Sequence, residues 1–479
     1  LHPRVRRQRQ MCIRDSIFCT TMRYQEEAMN IIIVGCGKVG YALAEQLNEE
    51  GHEITIIDTS NDKLEKSLSI LDVQGVNGNG TSFRTQLEAG IKDSDLLIAV
   101  TGQDEVNLLC CLIAKKAGNC NTIARVRNPE YFAEIKYLRE ELGLSMAINP
   151  ELACAMGIAR LIEVPSALDI TSFAKGKINL IKLSVPDDSI IHSMTVFEFA
   201  TKIHTHTLIC AIEREHEIII PDGNTVLQKG DNMYVIIPPS DIHTLLSKIG
   251  IKAKPIRSVV IIGGGTISYY LARHLEANHV QVKIIEINHE RCEDLSELLP
   301  HTLIINGDAT DRQLLLEEGI SEADAFVSLT NMDEENLVLS LFANKVSNAK
   351  IITKVDKVSF EEVVEDLPIG TIVCPKNITA KSILQYVRAL QNSFGSNIET
   401  LYRMLDDKVE ALEFSIKQES KVTNTPLMEL DLKKNLLICA ILRNGKVITP
   451  SGKDTILTGD TVIVVTINKG LTDIKDILA

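Results

Sequence analysis

No apolar run in the chain approaches the ~20 residues that a membrane-spanning helix needs. The longest, such as Leu96 to Val100 and Leu436 to Leu442, stop far short of it. Basic residues are in deficit: 50 Lys and Arg against 64 Asp and Glu give 50 − 64 = −14. That is the wrong sign for a protein gripping a phosphate backbone or an anionic lipid surface, so nucleic acid is not an expected partner. The 11 cysteines contain no CxxC pair, and Cys110 and Cys111 are adjacent. Neither a disulfide framework nor a zinc site is indicated, and a reducing cytoplasm fits best. His192, His204 and His206 share a stretch without Cys or acidic residues at ligand spacing, so no metal site is expected. A Gly-x-Ser-x-Gly elbow, a Walker loop and an HExxH helix are all missing, and no catalytic nucleophile stands out.

What remains is ordinary globular material: 479 residues, 45% hydrophobic and 24% charged, enough for about three domains. The first 28 residues differ from the rest. They hold six Arg against three acids, lack hydrophobic periodicity and begin with Leu. They read as an extension foreign to the folded protein, which is expected to start at Met29. Without them the charge is 44 − 61 = −17.

A duplication organises the chain. Ile31-Ile-Ile-Val-Gly-Cys-Gly-Lys-Val-Gly40 aligns with Val259-Val-Ile-Ile-Gly-Gly-Gly-Thr-Ile-Ser268, and Asp58 with Glu286, at an offset of 228. Val76 to Thr81 aligns with Ile305 to Thr310, and Thr101-Gly-Gln-Asp-Glu-Val-Asn107 with Thr330-Asn-Met-Asp-Glu-Glu-Asn336, at 229. The same offset relates Ile209-Cys-Ala-Ile to Ile438-Cys-Ala-Ile, and Gly230-Asp231 to Gly459-Asp460. Each half therefore carries two unlike modules. The first alternates short apolar strands with helical spacing, which predicts a doubly wound parallel sheet. The second, roughly Leu168 to Gly250 and Lys408 to Ala479, has short β runs around turn signals and reads as small and α+β. Asn149 to Val164, with Pro150 just inside a helix start, reads as a connecting helix, and Lys252 to Arg257 as the boundary between halves. The division expected is 1–28, 29–150, 151–254, 255–376 and 377–479.

Gly35, Gly37 and Gly40 follow a buried strand and open a helix. The first permits the tight turn, the second lets a pyrophosphate approach the backbone, and the third allows close helix packing. The helix N-terminus adds free N–H donors and a positive dipole end. Asp58 ends the next strand 18 residues after Gly40. There a carboxylate can accept from both ribose hydroxyls and disfavours a 2′-phosphate, so NAD(H) or an adenine nucleotide is preferred; the alternative is that Asp58 only opens a turn with Thr59 and Ser60. The second copy keeps Gly263, Gly264, Gly265 and Glu286 but has Ser268 at the third glycine. It is either a second nucleotide site or a surviving scaffold. Lys354 stands where the first half has Arg125, a cation retained near the expected phosphates. Thr101-Gly102 and Thr330-Asn331 either line the site at the sheet's carboxyl edge or hold loop geometry. Asp104, Glu105, Asp333 and Glu334 suit first helical turns and are assigned to helix structure. Cys36 reads as a small space-filler.

These residues resemble the TrkA family of tandem RCK proteins, and the resemblance runs from Met29 to the C-terminus. It implies two Rossmann-like domains, each followed by a small TrkA-C (RCK C-terminal) domain. It further implies a cytosolic nucleotide-binding subunit, peripheral on the inner face of the plasma membrane, that forms a homo-oligomeric ring (dimer or tetramer) and gates a separate Trk-type potassium channel subunit. By resemblance, Gly35, Cys36, Gly37, Lys38, Val39, Gly40, Asp58, Thr101, Gly102 and Arg125 bind NAD(H), or ATP or ADP, in the first half. Gly263, Gly264, Gly265, Glu286 and Lys354 do so in the second, where Ser268 and Asn331 depart from the pattern. The rival reading, an NAD-dependent dehydrogenase, needs an acid or base over the nicotinamide, and the short, mutually similar second modules present no such constellation.

Overall fold

Ile31 to Val34 and Val259 to Ile262 are runs of β-branched residues buried on both faces, which suits only the middle of a covered parallel sheet. The computed structural model describes residues 28–479 except 187, 188, 204, 216, 252, 253, 357–366, 393–397, 405–407, 470 and 472. The expected extension up to residue 27, His204, and Lys252 and Ala253 of the expected boundary lie outside the described residues. The first strand sits in a six-stranded sheet whose spatial order is Gln74–Asn77, Glu53–Asp58, Asn30–Val34, Leu96–Ala99, Asn121–Arg125 and Met146–Ile148. All the pairings are parallel, with Ile31 opposite both Ile54 and Leu96. The second sheet repeats this with Leu303–Asn306, Gln281–Glu286, Ser258–Ile262, Ala325–Ser328, Lys350–Lys354 and Thr371–Val373. In both, the winding reverses beside the first strand, which opens a crevice at the carboxyl edge. The expected pair of doubly wound parallel sheets is thus the observed fold.

Each half also holds a five-stranded antiparallel sheet. The first runs Ala167–Phe173, Ile178–Ser184, Asn232–Ile237, Leu208–Arg214 and Glu217–Ile219. The second runs Ile398–Met404, Val409–Ser415, Thr461–Thr466, Leu436–Arg443 and Lys446–Ile448 in the same topology. It starts one strand before Lys408, because Ile398–Met404 is an edge strand whose mixed composition hides its period. The repeated Gly-Asp pairs have a structural cause: Asp231 and Asp460 are buried, and each takes a two-pronged hydrogen bond from an arginine of the neighbouring strand, Arg214 or Arg443, at 2.7–2.9 Å.

The halves are interlocked by their connecting helices. Pro150–Glu163, capped by the Asn149 side chain on Leu152 N at 2.8 Å, leaves the first sheet and packs Ala155, Ile158, Ala159 and Ile162 onto Leu271, Ala272 and Leu275 of the second half. Pro375–Asn392 returns the exchange, setting Ala380, Ile383, Leu384 and Val387 against Leu43 and Leu47 of the first. The two small sheets close the assembly by packing face to face through Phe173, Tyr234, Val409 and Val465. Tyr402 adds an edge-on ring contact to Phe173 and a hydrogen bond to Asp169. Because Ile383 is fully buried inside the other half's core, Ile383→Ala should lower stability by about 2–5 kcal/mol. In chemical denaturation the loss should fall on the transition of the first Rossmann unit, and an unchanged midpoint would contradict the exchange.

Candidate functional site

The first loop is built on glycine for two steric reasons. Gly35 leaves its strand at φ +102°, and a Cβ there would lie 3.1 Å from the Thr101 backbone. At Gly40 a Cβ would fall 1.8 Å from the Gly35 carbonyl oxygen, so the helix Lys38–Glu49 is seated on its own loop. Gly37 differs: its φ is −77°, a Cβ would meet nothing within 4 Å, and no side chain caps the helix. The open space therefore faces a helix N-terminus, the geometry that receives an anion. The second loop is alike at Gly263, with φ +92°, and at Gly265, where a Cβ again meets nothing. Ser268 takes the place of Gly40 and donates its hydroxyl to the Gly263 carbonyl at 2.5 Å, which ties the second helix to its loop by a hydrogen bond.

The two acids serve the loops directly. Asp58 Oδ2 accepts from Cys36 N at 2.6 Å, and Oδ1 from Ser60 N at 2.8 Å. Glu286 Oε2 accepts from Gly264 N at 2.5 Å, and Oε1 from Asn288 N at 2.7 Å. Each carboxylate thus ties a glycine loop to the turn after the second strand. Asp58 therefore opens the turn, as the second of its two readings has it, and holds the glycine loop as well. Cys36 Sγ lies 3.0 Å from Ser67 Oγ in a buried position, consistent with space-filling.

Sequence reasoning missed the residue that organises the far wall. Asn107, fully buried, accepts from Thr101 N at 2.8 Å and Thr101 Oγ1 at 2.7 Å, and donates to the Arg125 carbonyl at 2.9 Å. Asn336 repeats this with Thr330 N at 2.9 Å and the Lys354 carbonyl at 3.1 Å. Its recurrence in both copies of the Thr-x-x-Asp-Glu-x-Asn stretch was the available signal. Thr101 and Thr330 therefore do hold loop geometry, at the crevice edge. Asp104 exceeds the helix-dipole role assigned to it, because its Oδ2 accepts from Arg127 N and Asn128 N, both at 2.7 Å, and so pins the next loop. Asp333 does the same for Asp356 N at 2.9 Å.

The two expected phosphate cations are less free than their positions suggested. Arg125 Nη2 pairs with Glu151 of the connecting helix at 2.9 Å, while Arg125 Nε and Glu151 Oε2 are buried with no hydrogen-bond partner. Lys354 is 8% exposed and turns its ammonium to the Thr330 carbonyl at 3.1 Å, with Asp356 Oδ2 3.7 Å away. Both are paired charges at the carboxyl ends of their fifth strands.

Elsewhere, His206 does have an acidic partner, Asp241 at 3.0 Å, contributed from 35 residues along the chain. No group of three or more His, Cys, Asp or Glu able to hold a metal occurs among the described residues. No helix among them is long and apolar enough to cross a membrane. An apolar cavity of about 510 Å³, walled by Leu315, Val338, Leu339 and Phe342, lies beside the second crevice and includes neither its glycine loop nor Glu286.

The steric contrast at the first loop is directly testable. Gly40→Ala should destabilise the first Rossmann unit by about 1–3 kcal/mol, as overpacking does. Gly37→Ala should stay within roughly 0.5 kcal/mol of the parent in the same denaturation experiment. Equal effects would show that the helix is not seated on Gly35.

With this geometry in view, the comparisons with known proteins are unambiguous. A family model of the TrkA-N domain matches residues 31–150 and 259–375, and one of the TrkA-C domain matches 180–250 and 411–479. The Trk system potassium uptake protein TrkA of Halomonas elongata is 35% identical over 444 residues, covering 92% of this chain and 96% of its own. The protein of the same name from Vibrio alginolyticus is 33% identical over 445 residues, covering 92% and 96%. Among solved structures, the GsuK channel bound to NAD superposes with a TM-score of 0.62 over 96% of this chain and 80% of its own. At 17% identity that likeness speaks for the fold. The chain belongs to the TrkA family, as a tandem of two TrkA-N and TrkA-C pairs.

Proposed function

We infer that this chain is the nucleotide-binding regulatory subunit of a Trk-type potassium uptake system, controlling a separate membrane subunit that conducts the ion. The observation that carries the reading is the paired cradle. Two glycine loops, each tied to an acid and each opening on an uncapped helix N-terminus, are held in one interlocked body. Relatives that align along more than nine-tenths of the chain carry the name of a potassium uptake system, and the GsuK channel, which shares the fold, is known bound to NAD.

In this reading the division is 29–150 and 255–376 for the nucleotide-binding units and 151–254 and 377–479 for the connecting helices with their small domains. The backbone from Gly35 through Cys36, Gly37, Lys38 and Val39 to Gly40 cradles the phosphates of NAD(H), ADP or ATP, and Asp58 accepts from the ribose. Thr101, Gly102 and Arg125 form the far wall. Gly263, Gly264, Gly265, Glu286 and Lys354 are their counterparts in the second unit. The nucleotide supplies no chemistry here; it supplies phosphate charge and hydrogen-bonding hydroxyls. The chain binds it, orients it and converts differential affinity for two arrangements of the units into a population shift. The work is regulatory, with no catalytic role. It takes place at the cytoplasmic face of the membrane, on the conducting subunit, with several copies of the chain forming a ring.

Calorimetric titration of the full chain with NADH, NAD, ADP and ATP tests this. Because Gly37 and Gly265 have room for a side chain, Gly37→Asp and Gly265→Asp should fold normally and place a carboxylate where phosphate binds. Each should delete one binding event. Saturation at about 100 times Kd should raise the unfolding free energy by roughly 2.7 kcal/mol. Failure of the parent chain to bind any of the four nucleotides would reduce both loops to inherited scaffold.

A further inference from the structure

Positions 127 and 356 are equivalent in the duplication, at the offset of 229 that relates the two fifth strands, yet they carry opposite charges. Arg127 stays within its own unit, donating to the Gly102 carbonyl and lying 3.6 Å from Asp104 Oδ1. Asp356 crosses to the other unit. Its Oδ2 accepts from Lys38 Nζ at 3.1 Å and stands 3.7 Å from Lys354 Nζ. Lys38 is the first residue of the helix whose N-terminus forms the first glycine loop, and its counterpart in the second unit is the uncharged Thr266. At the opposite corner the crossing contacts are neutral: the Tyr270 hydroxyl meets Asn149 Nδ2 at 2.9 Å and the Arg127 carbonyl at 3.4 Å. A charged link therefore joins the first glycine loop to the second crevice, and its symmetry mate is replaced by neutral groups.

We propose that Asp356, from the second unit, sets the affinity and charge selectivity of the first unit's nucleotide site by holding Lys38, and that phosphate binding at that loop draws Lys38 away from it. The proposal rests on nucleotide binding at the first loop. A lysine at the first position of the loop helix lies beside the anion that the helix N-terminus receives, so it is a natural phosphate counter-charge. While Asp356 neutralises it, the loop has one positive charge fewer to offer. Release is cheap, because the carboxylate is not stranded: Lys354, buried and already near, remains as its partner. The same transfer tightens Asp356 on Lys354, whose ammonium is bonded to the Thr330 carbonyl at the second crevice. Occupancy of the first site is thus felt at the second, and by linkage occupancy of the second is felt equally at the first through the same pair.

The exposure of Lys38, 55%, bounds the size of the effect, since partly exposed pairs are screened and individually weak. The test titrates ADP, with adenosine as the phosphate-free control, into the full chain carrying Gly265→Asp so that the first site reports. At about 50 mM salt, Asp356→Asn should tighten ADP roughly two- to five-fold and leave adenosine unchanged, with the gain lost at about 500 mM salt. Asp356→Arg, which copies the first unit's residue, should tighten ADP further. Adding Lys38→Met should abolish the gain of Asp356→Asn. A weaker or unchanged ADP affinity in both Asp356 variants would overturn the proposal, as would a Lys38→Met effect of the same size with and without Asp356. If the Gly265→Asp parent binds no ADP, the first-site reading itself falls and the proposal with it; that is settled before any Asp356 variant is compared.

Discussion

The exchange of connecting helices is the constraint on which the rest of the molecule depends. Neither Rossmann unit completes its own hydrophobic layer: the first needs Ala380, Ile383 and Val387 from the second half, and the second needs Ala155, Ile158 and Ile162 from the first. The helix that receives this packing is, in each unit, the one that begins at the glycine loop. Leu43 and Leu47 lie along the helix that opens at Lys38, and Leu271 and Leu275 along the one that opens at Thr266. A ligand pressing on either helix N-terminus therefore acts on an element whose other surface is gripped by the opposite half. Close-packed interiors transmit such displacements because they cannot deform smoothly. Any ligand bound at a glycine loop and the relative placement of the units are consequently coupled by the packing itself.

The loops answer to the same logic on a smaller scale. A glycine loop left to itself would sample many backbone states, and the entropy of fixing it would fall on ligand binding. Here Asp58 and Glu286 fix it beforehand from the second strand, while Asn107 and Asn336, on the helix after the fourth strand, fix the opposing wall by bonding to the ends of the fourth and fifth. Both clamps are charged or multiply hydrogen-bonded and partly or wholly buried, where an unsatisfied partner would be costly. The two carboxylates are thus structural members of their loops, so truncating one would remove loop order along with any role in ligand recognition.

Much of this was legible in the sequence because duplication doubles every signal. The strand–glycine–helix order, the acid after the second strand and the unlike second modules each occurred twice, and their agreement pointed to two doubly wound sheets and two small domains. What was not legible has a common physical cause: it depends on contacts between segments far apart in sequence. Glu151 as the partner of Arg125, Asp241 as the partner of His206 and the packing of Ile383 on Leu47 leave no local pattern. Asn107 is a middle case. It was visible as a repeated residue, but only the fold shows that its amide reaches both Thr101 and the Arg125 carbonyl. The edge strand Ile398–Met404 escaped because it pairs on one side only and its sequence need not alternate cleanly.

Carrying both units on one chain has a further consequence. In an assembly of identical subunits a contact across the two-fold axis must recur at the symmetry-related corner. A tandem chain is freed from that requirement, and this one uses the freedom at the crevice. Lys38 faces Asp356 at one corner, while Thr266 and Arg127 occupy the corresponding places at the other. Gly40 lets the first helix sit on its loop, and Ser268 ties the second one to its loop through the Gly263 carbonyl. The helix exchange keeps the two units in a common frame while their loops diverge, so one body can hold two crevices of different charge. A regulator that must weigh two nucleotide states against each other needs that inequality, since two sites with identical preferences could only repeat one signal.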